Sequence, residues 1–284
     1  MRGFPISSNL WVGLAVALLG LMSFPQPWSL EAIFYSFFLF FATISAYSYM
    51  RWVKIAQGNT GGQPHKIIGL KSDTLALAYA VLNGVLALSF LRFVFSPSLF
   101  WALIPALIVA VLYPLAFPNP NRHFTSLRTV PMLKLLLIAL CWSWLSFGLP
   151  MIIIDQVWTP YLFGELAFRS LLVAGLTIPF DVRDIDYDSG RMRTIPQLIG
   201  IDRALQWSVF LLLIYEVWII AAYFIFHLEL DFCLAWLIGL ELGALIIRKV
   251  KTDRSEWFIG FWVEGIPIFI FILYLLAQLA VGNY

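Results

Sequence analysis

Apolar residues run along this chain in long blocks, and polar residues break the blocks at intervals instead of alternating with them. A hydrocarbon core is spanned by about 20 predominantly apolar residues. Nine stretches of that kind stand out, near 8–24, 31–50, 73–95, 98–117, 131–153, 160–180, 204–226, 231–247 and 258–281. Blocks this long, without period-two alternation, read as helices. The pattern predicts an all-α integral membrane protein in which nine transmembrane helices form one bundle, with residues 1–284 as a single domain.

Composition agrees with the pattern: 61% of the 284 residues are hydrophobic and 12% charged, which places the chain in the membrane class. Charge distribution adds an orientation. Basic residues gather at Arg2, at Arg51 to Lys71, at Arg122 to Lys134, at Arg183 to Arg203 and at Arg248 to Arg254, so 16 of the 18 fall at the N-terminus and in alternate loops. Only Arg92 and Arg169 lie elsewhere. The positive-inside rule makes that face cytoplasmic and puts the N-terminus on it. Opposite loops are short and carry Glu31, Asp155, Glu165, Glu229 and Asp231.

Other features narrow the picture by what they fail to support. The first apolar stretch has no small-residue cleavage pattern and is read as a helix, not as a cleavable signal. Cys141 and Cys233 fall inside predicted spans and suggest neither a disulfide nor a thiolate metal site. His65, His123 and His227 stand alone in loops, without a second ligand at metal spacing. A formal charge of +2 gives no ground for a nucleic-acid partner.

The densest charge lies in residues 181–196, DVRDIDYDSGRMRTIP, with four aspartates and three arginines in sixteen positions. If the preceding helix continues, Asp181, Asp184 and Asp188 fall at i, i+3 and i+7 on one face. Carboxylates so placed repel unless a cation sits between them, and Mg2+ suits such hard oxygen donors. The bland alternative is a solvated loop in which Arg183, Arg191 and Arg193 neutralise the acids.

The wording Asp-x-Arg-Asp-x-x-x-Asp at a helix end, followed by Arg193, Thr194, Ile195, Pro196 and Gly200, resembles the second aspartate-rich motif of the UbiA-type intramembrane prenyltransferases. One residue fewer separates Asp188 from Thr194 than in the common pattern. The resemblance implies a bundle of nine helices around a central cavity, Mg2+ as cofactor, and transfer of an isoprenoid group from a prenyl diphosphate to an aromatic or lipid acceptor. It implies roles for Asp181, Asp184 and Asp188 as metal ligands and catalytic residues, with Arg183, Arg193 and Tyr113 as candidate diphosphate contacts, at a site facing the cytoplasm.

Two other elements match that family in position but not in chemistry. Where the family carries an Asn and two Asp at the end of its second helix, this chain has Tyr47, Arg51 and Ile55, so the first acidic motif is absent. Tyr113 to Phe117 stands where a Tyr-x-x-x-Lys element is expected, with Phe117 in place of the lysine. Arg51, whose planar guanidinium suits phosphate oxygens, is expected either to replace the missing metal half-site or to pair with Asp181 or Asp184. The loop from Gly58 to Pro64 reads as a connector or a lid. The competing function is a non-catalytic relative that binds an isoprenoid or another lipid, or scaffolds a partner enzyme.

Carboxylates inside spans need partners. Glu216, Glu241 and Glu264 are expected either to bond helices together, the reading favoured for the first two, or to line an acceptor pocket or take a proton, and Glu165 to pair with Arg169 at i, i+4. Asn9 and Asn83 are expected to hydrogen-bond inside the bundle. The 25 Phe, 12 Trp and 11 Tyr fit interfacial belts and lipid-facing packing.

Overall fold

Helices follow wherever the chain is apolar, and prolines and glycines decide how each one bends or stops. The computed structural model describes residues 6, 8–56, 73–118, 124–126, 132–186 and 194–281. Its helices are α1 (Leu10–Leu21), α2 (Leu30–Ala56), α3 (Asp73–Leu91), α4 (Pro97–Leu112), α5 (Leu133–Ser143), α6 (Leu149–Ile153), α7 (Pro160–Arg183), α8 (Ile195–Ile199), α9 (Ile201–Phe226), α10 (Leu230–Lys249), α11 (Glu256–Phe258) and α12 (Ile266–Val281). One π-helical turn, Trp144–Gly148, joins α5 to α6, and another, Ile259–Val263, follows α11. Seven spans are long and apolar enough to cross a membrane, and α1 and α4 are shorter apolar helices, so this is a multi-pass membrane protein. The expected spans 8–24 and 98–117 thus correspond to helices of 12 and 16 residues.

The helical expectation needs one small correction. Span 98–117 stops at Leu112, because Pro114 brings no N–H and cannot prolong the helix. The chain then forms a short strand β1 (Ala116–Pro118), antiparallel to β2 (Phe124–Ser126).

Packing follows chain order and then closes. Helix α1 lies against α2, α2 against α3, α5 against α7, α7 against α9, α9 against α10, and α12 against both α10 and α1. Apolar side chains point both ways. Tyr35, Leu39, Leu149, Leu172, Tyr215 and Trp236 are fully buried inside, while Val217, Phe224, Ile238 and Leu245 project outward, as lipid-facing residues do.

Prolines inside the helices free backbone carbonyls, and side chains claim them. Pro150 cannot donate to the carbonyl of Ser146, four residues back, and that carbonyl accepts from Ser23 Oγ at 2.8 Å and Arg169 Nη1 at 3.3 Å. Likewise Pro179 leaves the Gly175 carbonyl to the Ser208 hydroxyl at 2.6 Å. A Cβ at position 175 would lie 3.0 Å from the Ser208 carbonyl oxygen, so glycine there sets the close approach of α7 and α9.

Arg169 and Glu165 pair at i, i+4 as expected, and the pair is the polar centre of the bundle. The Glu165 carboxylate accepts from Arg169 at 2.7 and 2.9 Å, from the Tyr215 hydroxyl at 2.7 Å and from the Trp218 indole at 2.8 Å. Arg169 reaches on to Ser23 Oγ at 2.6 Å and lies over the rings of Phe147 and Trp236. Asn9 and Asn83 also act as expected, Asn9 donating to Ser48 Oγ and Asn83 to the Tyr79 carbonyl. Cys141 and Cys233 are free thiols.

Glu216 and Glu241 do not hold helices together. Neither makes a hydrogen bond among the described residues, Glu241 is exposed on the outer surface, and the charged neighbour of Glu216 is Glu241 itself. Their positions on adjacent helices bring like groups together and place no donor beside them.

Candidate functional site

The charged residues singled out in the sequence meet where α2, α5, α7 and the last span approach one end of the bundle. The helix expected to carry Asp181, Asp184 and Asp188 on one face stops sooner than that. Helix α7 ends at Arg183, Asp184 is its C-cap, and residues 184–186 form a turn, so a continuous helical face through Asp188 is not present. A helix C-terminus is the negative end of the backbone dipole. Successive aspartates are disfavoured there and Arg183, in the last turn, is favoured.

Asp181 and Asp184 are each paired with a cation. Asp181, 3% exposed, accepts a hydrogen bond and ion pair from the amine of Lys134, in the first turn of α5. The Arg183 guanidinium grips Asp184 with two bonds, Nε to Oδ1 at 2.7 Å and Nη2 to Oδ2 at 3.1 Å. It also lies over the Phe180 ring. Asp188, Arg191 and Arg193 lie outside the described residues, as do His65, His123 and the Gly58 to Pro64 loop.

Arg51, near the end of α2, has Glu264, Glu256, Arg183 and Tyr47 as electrostatic neighbours. It does not take Asp181, whose partner is Lys134. Tyr47, one turn before Arg51, stacks on Trp142 of α5 at 6.1 Å between ring centroids and feels Glu264 and Tyr113. Tyr113 caps α4 and is buried. Glu264 follows the second π turn, its N–H bonded to the Ile259 carbonyl five residues back. Such turns are frequent at functional sites, and Glu264, just past this one, has Arg183 and Arg51 as electrostatic neighbours.

The tail of the motif is architecture. Gln197 Oε1 accepts the N–H of Thr194 at 3.1 Å, Pro196 opens the short helix α8, and Gly200 turns into α9 with φ +84° and ψ 159°, a conformation essentially confined to glycine. These residues form the turn from α8 into α9.

Sequence reasoning missed Lys134 and left Glu264 open. Lys134 counts in the sequence only as one basic residue at the start of a span, and its partner is 47 residues away. Among the described residues no group of three His, Cys, Asp or Glu side chains is placed to hold a metal ion. The donor chemistry of the two described aspartates nevertheless suits a hard cation such as Mg2+. Each already has a cation of the chain beside it, Lys134 on Asp181 and Arg183 on Asp184.

No protein-family model and no curated protein matches the sequence. Solved structures do. A UbiA homologue from Aeropyrum pernix K1 shares 19% identity over 94% of this chain and 97% of that one, with a TM-score of 0.66. A UbiA homologue from Archaeoglobus fulgidus bound to GPP and Mg2+ shares 17% identity over 98% and 99%, also with a TM-score of 0.66. A structure concerned with digeranylgeranylglyceryl phosphate synthase in membranes matches at 13% identity over 98% of both chains, with a TM-score of 0.56. The chain is thus a multi-pass membrane protein with the UbiA fold over almost its whole length.

Proposed function

We propose that the chain is a membrane-embedded prenyltransferase-like protein that takes a prenyl diphosphate at the charged end of its bundle and passes the isoprenoid group to an aromatic or lipid acceptor. The observation that carries this reading is the gathering of Arg51, Arg183, Asp181, Asp184 and Glu264, from three separate spans, at one end of a UbiA-fold bundle. Structural neighbours bound to GPP with Mg2+ and to DMAPP with Mg2+ support the ligand class. In this reading nine helices cross the membrane around a central cavity, with the N-terminus and the site on the cytoplasmic side.

Transfer breaks the bond between the allylic carbon and the diphosphate oxygen. The electron pair leaves with the diphosphate, so negative charge grows on its oxygens, and fixed donors aimed there lower the barrier. Arg51, Arg183 and Arg193 supply charge-assisted bonds to those oxygens, and Tyr113 donates its hydroxyl. Asp181, Asp184 and Asp188 would hold Mg2+, which would neutralise part of the diphosphate charge. The electron-poor carbon faces the rings of Tyr47 and Trp142, whose attraction for a desolvated cation is worth about 2 kcal/mol. The acceptor forms the new bond and gives up a proton, for which Glu264 is the carboxylate in reach.

Binding of geranyl diphosphate to the protein in nanodiscs, with Mg2+ and with EDTA, tests the reading. Wild type is expected to bind in a Mg2+-dependent manner. Asp181→Ala combined with Asp184→Ala should weaken the Mg2+-dependent binding about tenfold or more, the loss expected when charge-assisted contacts are removed. Binding indifferent to metal and to both mutations would overturn the reading and favour a non-catalytic relative that binds lipid or scaffolds a partner.

A further inference from the structure

Lys134 occupies an unusual place for a lysine. It lies in the first turn of α5, where the helix dipole is already positive and a cation is disfavoured. Met132, the residue at the cap of that helix, has no side-chain oxygen with which to take up the exposed N–H groups. Across from it, Asp181 lies in the last turn of α7, where a carboxylate is disfavoured for the opposite reason. Both side chains are nearly out of solvent, at 12% and 4% exposure. Each group is held at the wrong end of its own helix by the other.

A helix N-terminus with a lysine added is a strongly positive place, suited to phosphate oxygens. The lysine is held here by a carboxylate that forms part of the acidic motif. The other described aspartate of the motif is likewise held by a cation, Arg183. Asp181 and Asp184 are thus each set acid against base, and Arg51 and Arg183 have Glu264 as an electrostatic neighbour. A ligand bringing a diphosphate and a divalent cation together offers each member of the Lys134–Asp181 pair a new partner of the right sign. Neither component alone does so.

We propose that Lys134 is a diphosphate contact of this site, held in reserve by Asp181, and that the two exchange partners when a prenyl diphosphate arrives with its cation. This inference rests on the prenyl diphosphate reading and adds to it a binding residue and a reason for joint binding of metal and substrate. No covalent step is involved. The amine moves from carboxylate to phosphate oxygen, and Asp181 is released.

The exchange predicts effects of opposite sign, which a merely structural ion pair does not. The probes are geranyl diphosphate in EDTA and Mn2+ alone, the latter followed by electron paramagnetic resonance, both on protein in nanodiscs. Asp181→Asn keeps the shape of the side chain and frees Lys134, so geranyl diphosphate should bind several-fold more tightly in EDTA than it does to wild type. Lys134→Met frees Asp181, so Mn2+ alone should bind several-fold more tightly, while geranyl diphosphate with Mg2+ should weaken about tenfold. Lys134→Arg should retain most of the diphosphate affinity. If Lys134→Met fails to fold, the Asp181→Asn measurement decides alone. Weaker or unchanged binding in EDTA by Asp181→Asn would overturn the exchange, and so would unchanged diphosphate affinity or no gain in Mn2+ affinity in folded Lys134→Met. Wild type that binds no geranyl diphosphate under any condition would overturn the functional reading and this inference together.

Discussion

Glu165 and Arg169 show how much one ion pair can organise at the scale of single residues. They are 2% and 1% exposed, in the half of α7 remote from Asp181, and both Glu165 oxygens and Arg169 Nη1 meet partners from other segments. A buried pair of this kind adds little net stability over well-packed apolar residues, but removing one partner leaves an uncompensated charge and costs about 3–5 kcal/mol. Glu165→Ala is therefore expected to destabilise by about that amount, and Glu165→Leu combined with Arg169→Met by less than either single change. Unfolding in mixed micelles measures both. Single variants that unfold like wild type would show that the pair does not hold the bundle. The i, i+4 spacing made the pair legible in the sequence. Its role as a hub was not, since Ser23, Ser146, Tyr215 and Trp218 come from three other spans and spacing carries no information across such distances. Lys134 was missed for the same reason: a local pattern shows Asp181 among arginines, and only the fold brings an amine from α5 to it.

At the scale of the element, prolines do more than bend helices. In both α7 and the α5–α6 span an internal proline leaves a carbonyl without its helical donor, and a serine hydroxyl from another segment takes it. In lipid such a carbonyl has no water to turn to. Ser208→Ala should then leave the Gly175 carbonyl bare and cost about 1–3 kcal/mol. Adding Pro179→Ala returns a backbone N–H to the same carbonyl and should recover part of that loss. The coupling is read from a double-mutant cycle on unfolding free energies, and strictly additive losses would contradict it. Helix existence was legible because apolar blocks of this length have few alternatives. Helix ends were less so. The expected helical face through Asp188 fails because α7 stops at Arg183, where aspartates meet the negative end of the dipole. The tail from Thr194 to Gly200, which reads in the sequence as part of a chemical motif, is a cap and a glycine turn in the structure.

At the scale of the whole molecule, the charge pattern and the fold agree on which ends belong together. The C-terminal end of α7, the N-terminal end of α9 and the loop after α10 lie on one face, tied by an ion pair between Asp202 and Lys251 at 2.9 Å. The turn before α7, at Asp155, lies at the opposite end of that helix. Sixteen of the 18 basic residues belong to the first face or to loops that alternate with the second, and the positive-inside rule predicts that this face is cytoplasmic. Both Asp155 and Thr252 are exposed, so each accepts a reporter. In a background with Cys141 and Cys233 replaced by alanine, Asp155→Cys should react with a membrane-impermeant maleimide applied to intact cells, and Thr252→Cys only after the membrane is opened. The reverse order would invert the topology and move Arg51, Lys134 and Asp181 to the outer face. A diphosphate made inside the cell could not reach them there, so this labelling tests the proposed function as well as the orientation.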